Sequence, residues 1–277
     1  MRFGIKTAPQ HTTWTEMLDV WRAADDIEIF ESAWNFDHFY PIFSDSDGPC
    51  LEGWSMLAAM AQATTRIRIG CQVTGMIYRH PAVLANMAAT IDIISNGRLD
   101  IGLGAGWNQQ ECDAYGITLP PLKERFDRFD EGVEAVIVLL SEEHATLDGS
   151  YVQLNNARCE PKPVQRPHPP ITIGGNGPTR TLRTVARFAQ QWNSVAGLEH
   201  WPAIRDTLVE RCGEIGRDPS SIECSVNLRY DAEQGPNALA EQAAGFAAAG
   251  ADIGIVYLPV PHTPDVLGPI AQALATV

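Results

Sequence analysis

Short apolar runs alternate with longer amphipathic ones along the whole chain. Arg2–Thr7 is short and apolar, as a buried strand is. Trp14–Ile29 follows, with Trp14, Met17, Leu18 and Trp21 at helical spacing behind Thr13, a residue suited to cap a helix. The same alternation predicts strands at Ser32–Phe36, Arg66–Val73, Arg98–Gly104, Pro170–Ile173, Gln191–Val195, Ile222–Asn227 and Asp252–Tyr257. Helices are predicted between them at Gly53–Ala63, Pro81–Ile94, Leu122–Leu140, Thr179–Gln190, Trp201–Ile215, Ala238–Ala249 and Val266–Ala275. Proline at the first position of the Pro81 helix suits a helix start, where its missing N–H is no loss.

Eight strand–helix units predict a (β/α)8 TIM barrel, an α/β fold, over residues 1–277 as one domain. An open doubly wound sheet is the alternative, but its usual Gly-x-Gly-x-x-Gly turn is missing after the first strand, where Thr7-Ala8-Pro9-Gln10 stands instead. Residues 141–169 interrupt the pattern as an insertion. Asp148-Gly149 marks a turn between two short strands there, and a proline-rich run to Pro170 follows. Insertions of this length often shape the rim of an active site.

A net charge of −14 argues against nucleic acid or an anionic membrane as a partner. No apolar run approaches the roughly 20 residues of a membrane helix, and the first strand has no signal-peptide character, so a cytoplasmic location is expected. The six cysteines form no Cys-x-x-Cys pair, which favours buried thiols over disulfides or zinc. The seven histidines are dispersed and no His-x-His follows the first strand. A metal hydrolase is thus a minor reading, and no metal ligands are assigned.

Barrel enzymes place their chemistry at the C-terminal ends of the strands. Two such ends are bare of side chains: Gly102, Gly104 and Gly106 after the fourth strand, and Gly174-Gly175-Asn176-Gly177 after the fifth. Strand ends without bulk let a flat or phosphorylated ligand approach the backbone. Read blandly, they are tight strand-to-helix turns. Asp37 and His38 follow the second strand and are the acid–base candidates, His38 moving a proton and Asp37 tuning it. The plainer alternative is a turn cap and one structural hydrogen bond. Trp107 is read as a pocket wall, and Tyr40 and His80 as further pocket residues; His80 could equally hold a turn before Pro81. Glu111 reads as a helix-start residue favoured by the dipole. Arg180 and Arg183 could meet an anion at the next helix start, or simply be solvated.

Several of these segments together resemble the luciferase-like monooxygenase superfamily, specifically its branch that uses the deazaflavin coenzyme F420. The resemblance rests on Phe36-Asp37-His38-Phe39, Leu51-Glu52-Gly53-Trp54, Tyr78–Ala85, Ile94–Asn108, Glu124–Arg128, Glu160–Gln165, Ile173–Gly177 and Trp192-Asn193, in this order. It implies a TIM barrel, usually a homodimer, with the ring of F420 in the barrel mouth. It also implies a non-proline cis peptide at the end of the third strand, by position Gln72–Val73. Cofactor contacts are then expected from Asp37, Gln72, Val73, Thr74, Ala105, Gly106, Trp107, Gly174, Gly175, Asn176 and Gly177. The implied chemistry is hydride transfer to or from a small organic substrate such as an alcohol, imine or enone. The family's sugar-phosphate dehydrogenases carry a tryptophan and an acid where this chain has Ile42 and Trp107, which points away from sugar phosphates. An FMN-dependent monooxygenase of the same superfamily is the alternative. A non-catalytic cofactor-binding protein is the reading from another class.

Overall fold

The computed structural model describes residues 1–277. The chain begins β1 (Arg2–Thr7), α1 (Trp14–Asp25), β2 (Phe30–Asn35), α2 (Gly53–Ala63), β3 (Arg68–Gly75), α3 (Pro81–Ile94) and β4 (Leu99–Gly104). Two helices, α4 (Gln109–Tyr115) and α5 (Leu122–Ser141), and two strands, β5 (Ala145–Asp148) and β6 (Gln153–Ala157), then break the alternation. It resumes with β7 (Ile171–Gly174), α6 (Thr181–Phe188), β8 (Gln191–Ser194), α7 (Trp201–Glu214), β9 (Glu223–Arg229), α8 (Gly235–Ala248), β10 (Ile253–Leu258) and α9 (Leu267–Leu274). The strands other than β5 and β6 close into a parallel barrel in the order β1-β10-β9-β8-β7-β4-β3-β2. This is the expected (β/α)8 barrel. No helix is long and apolar enough to cross a membrane.

Local sequence explains several helix starts, since side chains cap α1, α2, α3 and α4. Thr13 and Glu16 form a reciprocal capping box at α1: Glu16 N–H donates to Thr13 Oγ1 at 3.3 Å, and Thr13 N–H to Glu16 Oε2 at 2.8 Å. Several boundaries depart from expectation by a few residues, three of them in the first half of the barrel. α1 stops at Asp25 rather than Ile29, whose place is taken by the turn into β2. β2 starts at Phe30, which is buried in the barrel wall and pairs with Phe3. β3 runs on to Gly75 because Thr74 and Gly75 pair with Leu103 and Gly104 of β4. The register shifts between Cys71 and Thr74, around a cis Gln72–Val73 peptide, as the resemblance implied.

The insertion does not form the rim. Its hairpin packs on α5, where the Glu131 carboxylate accepts the backbone N–H groups of Ser150, Tyr151 and Val152 at 3.0, 2.7 and 3.0 Å. The following segment runs to the N-terminal end of the barrel, where Gln165 donates to the Leu99 carbonyl at 2.7 Å and to Asp92. None of residues 141–169 lines the cavity at the barrel mouth. The lower barrel is plugged by Trp34, Ile253 and Ile255. Gly70 makes room for the plug, since a Cβ there would sit 2.4 Å from Trp34 Cζ3. A cavity of about 370 Å³ remains at the N-terminal end, lined by Arg2, Glu31, Arg68, Asp100 and Glu223, and the larger space lies at the C-terminal ends of the strands.

Candidate active site

A cavity of about 810 Å³ opens at the C-terminal ends of the strands, within the usual range for small-molecule sites. Its walls are Val73, Gly104 and Gly106 on one side and Gly174 and Gly175 on the next strand, with Phe36, Ile42 and Trp107 toward the mouth. Gly106 and Gly175 have φ of +84° and +119°. Both glycines are thus required by the turns themselves as well as by any ligand. Trp107 is half exposed and stacks on the almost fully exposed Phe43, with centroids 5.4 Å apart and an 8° interplanar angle. Both rings line the mouth of the cavity.

His38 lines the cavity and is held by a carboxylate. Glu111 Oε2 lies 2.7 Å from His38 Nδ1, and it also accepts the Tyr78 hydroxyl at 2.6 Å. Glu111 Oε1 accepts the Phe39 N–H at 2.5 Å. The Glu111 side chain is fully buried. Burial pushes its carboxyl up, but the hydrogen bonds from His38, Tyr78 and Phe39 outweigh that and hold it below the usual range. An ionised Glu111 can only accept, so Nδ1 carries the proton toward it. Nε2 is left as the ring nitrogen without a protein partner. Glu111 sits in the first turn of α4, a helix the sequence reading marked only by this helix-start residue, and its cap is Asn108 Oδ1 accepting the Glu111 N–H at 3.3 Å. The Asn-x-x-Glu spacing was the signal available for it.

Asp37 is not the partner of His38. Its carboxylate is buried against Arg79, with Oδ2–Nη1 at 2.5 Å and Oδ1–Nη2 at 2.8 Å, and Arg79 also reaches Glu52 Oε1 at 2.7 Å. Burial raises the Asp37 carboxyl to about 6 despite the opposing pull of Arg79. Asp37 does not line the cavity. The hydrogen bonds of Asp37 tie the loop after β2 to the loop after β3 rather than reaching the His38 ring.

Other expected site residues are likewise occupied elsewhere. Thr74 faces away from the cavity and accepts the Trp54 Nε1–H at 2.8 Å. His80 is exposed and caps α3, its Nδ1 accepting the Ala82 N–H at 3.2 Å. Tyr40 stacks on Tyr115 outside the cavity, with centroids 6.1 Å apart. Ala105 packs against the core. Asn176 accepts the Ser194 hydroxyl at 2.9 Å, and Gly177 adjoins Thr181 rather than the cavity. Arg180 pairs with Asp127 at 2.9 Å, and Arg183 is solvated. Of the residues expected to hold the cofactor, Gln72, Val73, Gly106, Trp107, Gly174 and Gly175 line the cavity.

Lys6 was overlooked. It projects from β1 into the cavity, is 8% exposed, and donates from Nζ to the Gln72 carbonyl at 2.6 Å. Burial lowers it to about 8. The signal was a lysine inside a short apolar strand, where charge is rare unless used. Asn193, Asn227, Arg229 and Tyr257 complete that side. No aspartate or glutamate lines the cavity, although the chain carries a net charge of −14. No group of three or more His, Cys, Asp or Glu converges to hold a metal ion.

Residues 1–265 match the luciferase-like monooxygenase family. An F420-dependent glucose-6-phosphate dehydrogenase from Kineococcus radiotolerans is 31% identical over 244 residues, 85% of this chain and 69% of that protein. An uncharacterised protein of Mycobacterium tuberculosis is 36% identical over 142 residues, 51% of this chain and 49% of its own length. This chain thus spans about half the length of the first curated relatives it matches. Among solved structures, an F420-dependent secondary alcohol dehydrogenase in complex with an F420-acetone adduct aligns with a TM-score of 0.86 at 20% identity. The alignment covers 99% of this chain and 98% of that one. At that identity the likeness is one of fold.

Proposed function

The chain belongs to the luciferase-like monooxygenase family, and from that premise we propose that it is a coenzyme F420-dependent oxidoreductase acting on a small organic substrate. The observation that carries the reading is His38, with Nδ1 tied to a buried Glu111 and Nε2 unpartnered beside a large glycine-walled cavity. Relatives named for F420 support the choice of cofactor.

The residues present fit such a group. Val73, Gly106, Gly174 and Gly175 leave flat, side-chain-poor walls, and both amide atoms of Gln72 are buried without a partner. Gln72, Val73, Gly106, Trp107, Gly174 and Gly175 would hold the cofactor. The deazaflavin, when bound, supplies a ring carbon that gives or takes a hydride. His38 Nε2 takes the hydroxyl proton of an alcohol, or returns a proton when a C=N or C=C bond is reduced. Glu111 holds the Nδ1–H tautomer and stabilises the imidazolium, and Tyr78 and the Phe39 N–H hold Glu111. Trp107 and Phe43 screen the mouth from water. Ile42 and Trp107 make that mouth apolar and favour a less polar substrate than a sugar phosphate.

Equilibrium titration of the purified protein with F420 and with FMN, side by side, tests the reading. Tight F420 and weak FMN binding are expected, followed by bleaching of F420 absorbance with one of a panel of alcohols. Tight FMN binding with weak F420 binding overturns the assignment in favour of a flavin enzyme, and binding of neither overturns both.

A further inference from the structure

We propose that Lys6 supplies the counter-charge for the reduced cofactor, so that the protein binds reduced F420 in preference to oxidised F420. The inference rests on the F420 reading above. The first observation is an uncompensated charge. Lys6 Nζ has one protein hydrogen bond, to the Gln72 carbonyl, and stands 5.6 Å from the centroid of the Tyr257 ring. No carboxylate pairs with it, and none lines the cavity it faces. A buried ammonium without a counter-ion is costly, and the usual remedies are a paired anion or a shift to the neutral form. A site that keeps such a group beside an open cavity offsets the cost when an anionic ligand arrives.

The second observation is independent. Gln72 is 3% exposed, lines the same cavity, and has both Nε2 and Oε1 without a partner. A donor and an acceptor are therefore unsatisfied on the same residue whose carbonyl holds Lys6. An anionic ring edge that both accepts and donates hydrogen bonds satisfies all three groups. β1 and β7 lie opposite one another in the barrel, with three strands between them either way round. Lys6 and the glycine end of β7 thus face each other across the mouth.

The redox step supplies the charge. Oxidation of an alcohol breaks its C–H bond and sends the hydride, two electrons with one proton, to the ring carbon. The O–H proton goes to His38 Nε2. A bound deazaflavin would thereby carry one additional negative charge, and the Lys6 ammonium would stabilise that reduced form over the oxidised one.

The test is anaerobic titration of the full-length protein with oxidised and with reduced F420, for the parent, Lys6→Arg and Lys6→Met. Lys6→Met is expected to raise the Kd of the reduced form at least tenfold more than that of the oxidised form, and Lys6→Arg to keep most of the preference. Equal weakening of both forms, or greater weakening of the oxidised one, overturns the assignment while leaving F420 binding intact. Failure of the parent to bind either form overturns the F420 reading instead, and this inference with it. The parent alone gives a second readout should Lys6→Met not fold. Preferential binding of the reduced form raises the midpoint potential of bound over free F420 by ~30 mV per tenfold preference. An unchanged or lowered potential overturns the proposal.

Discussion

His38 and Glu111 divide the proton chemistry, and each half can be removed separately. His38→Ala is expected to slow turnover by about 10²- to 10⁴-fold, the usual worth of a general acid–base, with the Kd of F420 within about threefold of the parent. Stopped-flow rates set against equilibrium titration check this; equal losses in both would make His38 a holding residue. Glu111→Gln removes the acceptor-only partner of Nδ1 and is expected to shift the pH–rate profile as well as lower the rate. Asp37 belongs to a different account, one of stability. Burial raises its folded pKa to about 6, above the ordinary aspartate value of 3.8. Its stabilising contribution is therefore full below about pH 4 and is lost as pH rises through about 6. The stability of the parent relative to Asp37→Asn is expected to fall over that window by an amount on the order of 3 kcal/mol and to stay level above it, as pH-dependent melts would show. His38 was legible as a residue type at a strand end. Its partner was not, because Glu111 stands 73 positions away.

The element that matters most to the site is α4. It spans only Gln109–Tyr115, yet it carries Glu111 to His38. Asn108→Ala removes its cap and is expected to cost about 1 kcal/mol of stability and to lower turnover by loosening Glu111. A lower Tm with unchanged turnover would show that the cap serves the helix alone. The larger helices were readable because α1 and α5 carry apolar residues on one face at helical spacing, as Met17, Val20, Trp21 and Ala24 show. A helix of seven residues carries little periodic signal, so its cap is the main clue. The extended end of β3 was hidden for another reason. Thr74 and Gly75 are strand because β4 stands beside them, which a local pattern does not contain.

For the molecule as a whole, Trp34, Ile253 and Ile255 pack together inside the lower barrel. Gly70→Ala pushes a methyl group against the Trp34 ring that plugs the barrel. A loss of about 1–3 kcal/mol is expected for such overpacking, measured as a lower denaturant midpoint. An unchanged midpoint would show that Trp34 moves aside freely. Charge is also distributed at this scale: the chain is acidic overall, while its cavity presents Lys6 and Arg229 and no carboxylate. An anionic cofactor is thus met by local groups against the sign of the total.

The order and kind of most elements, and with them the barrel, follow from the amino-acid sequence because hydrophobic periodicity is a local property of the chain. The bare strand ends at Gly104–Gly106 and Gly174-Gly175 are equally local, since glycine acts through its own backbone. Partnership is not local. That Asp37 turns to Arg79, that Glu111 rather than Asp37 orients His38, and that Lys6 stands unpaired in the cavity were decided only by barrel closure. Each depends on strand ends and loops brought together from distant parts of the chain. A carboxylate's effect on a neighbour falls off over a few ångströms, and distance in space is what the tertiary structure alone sets.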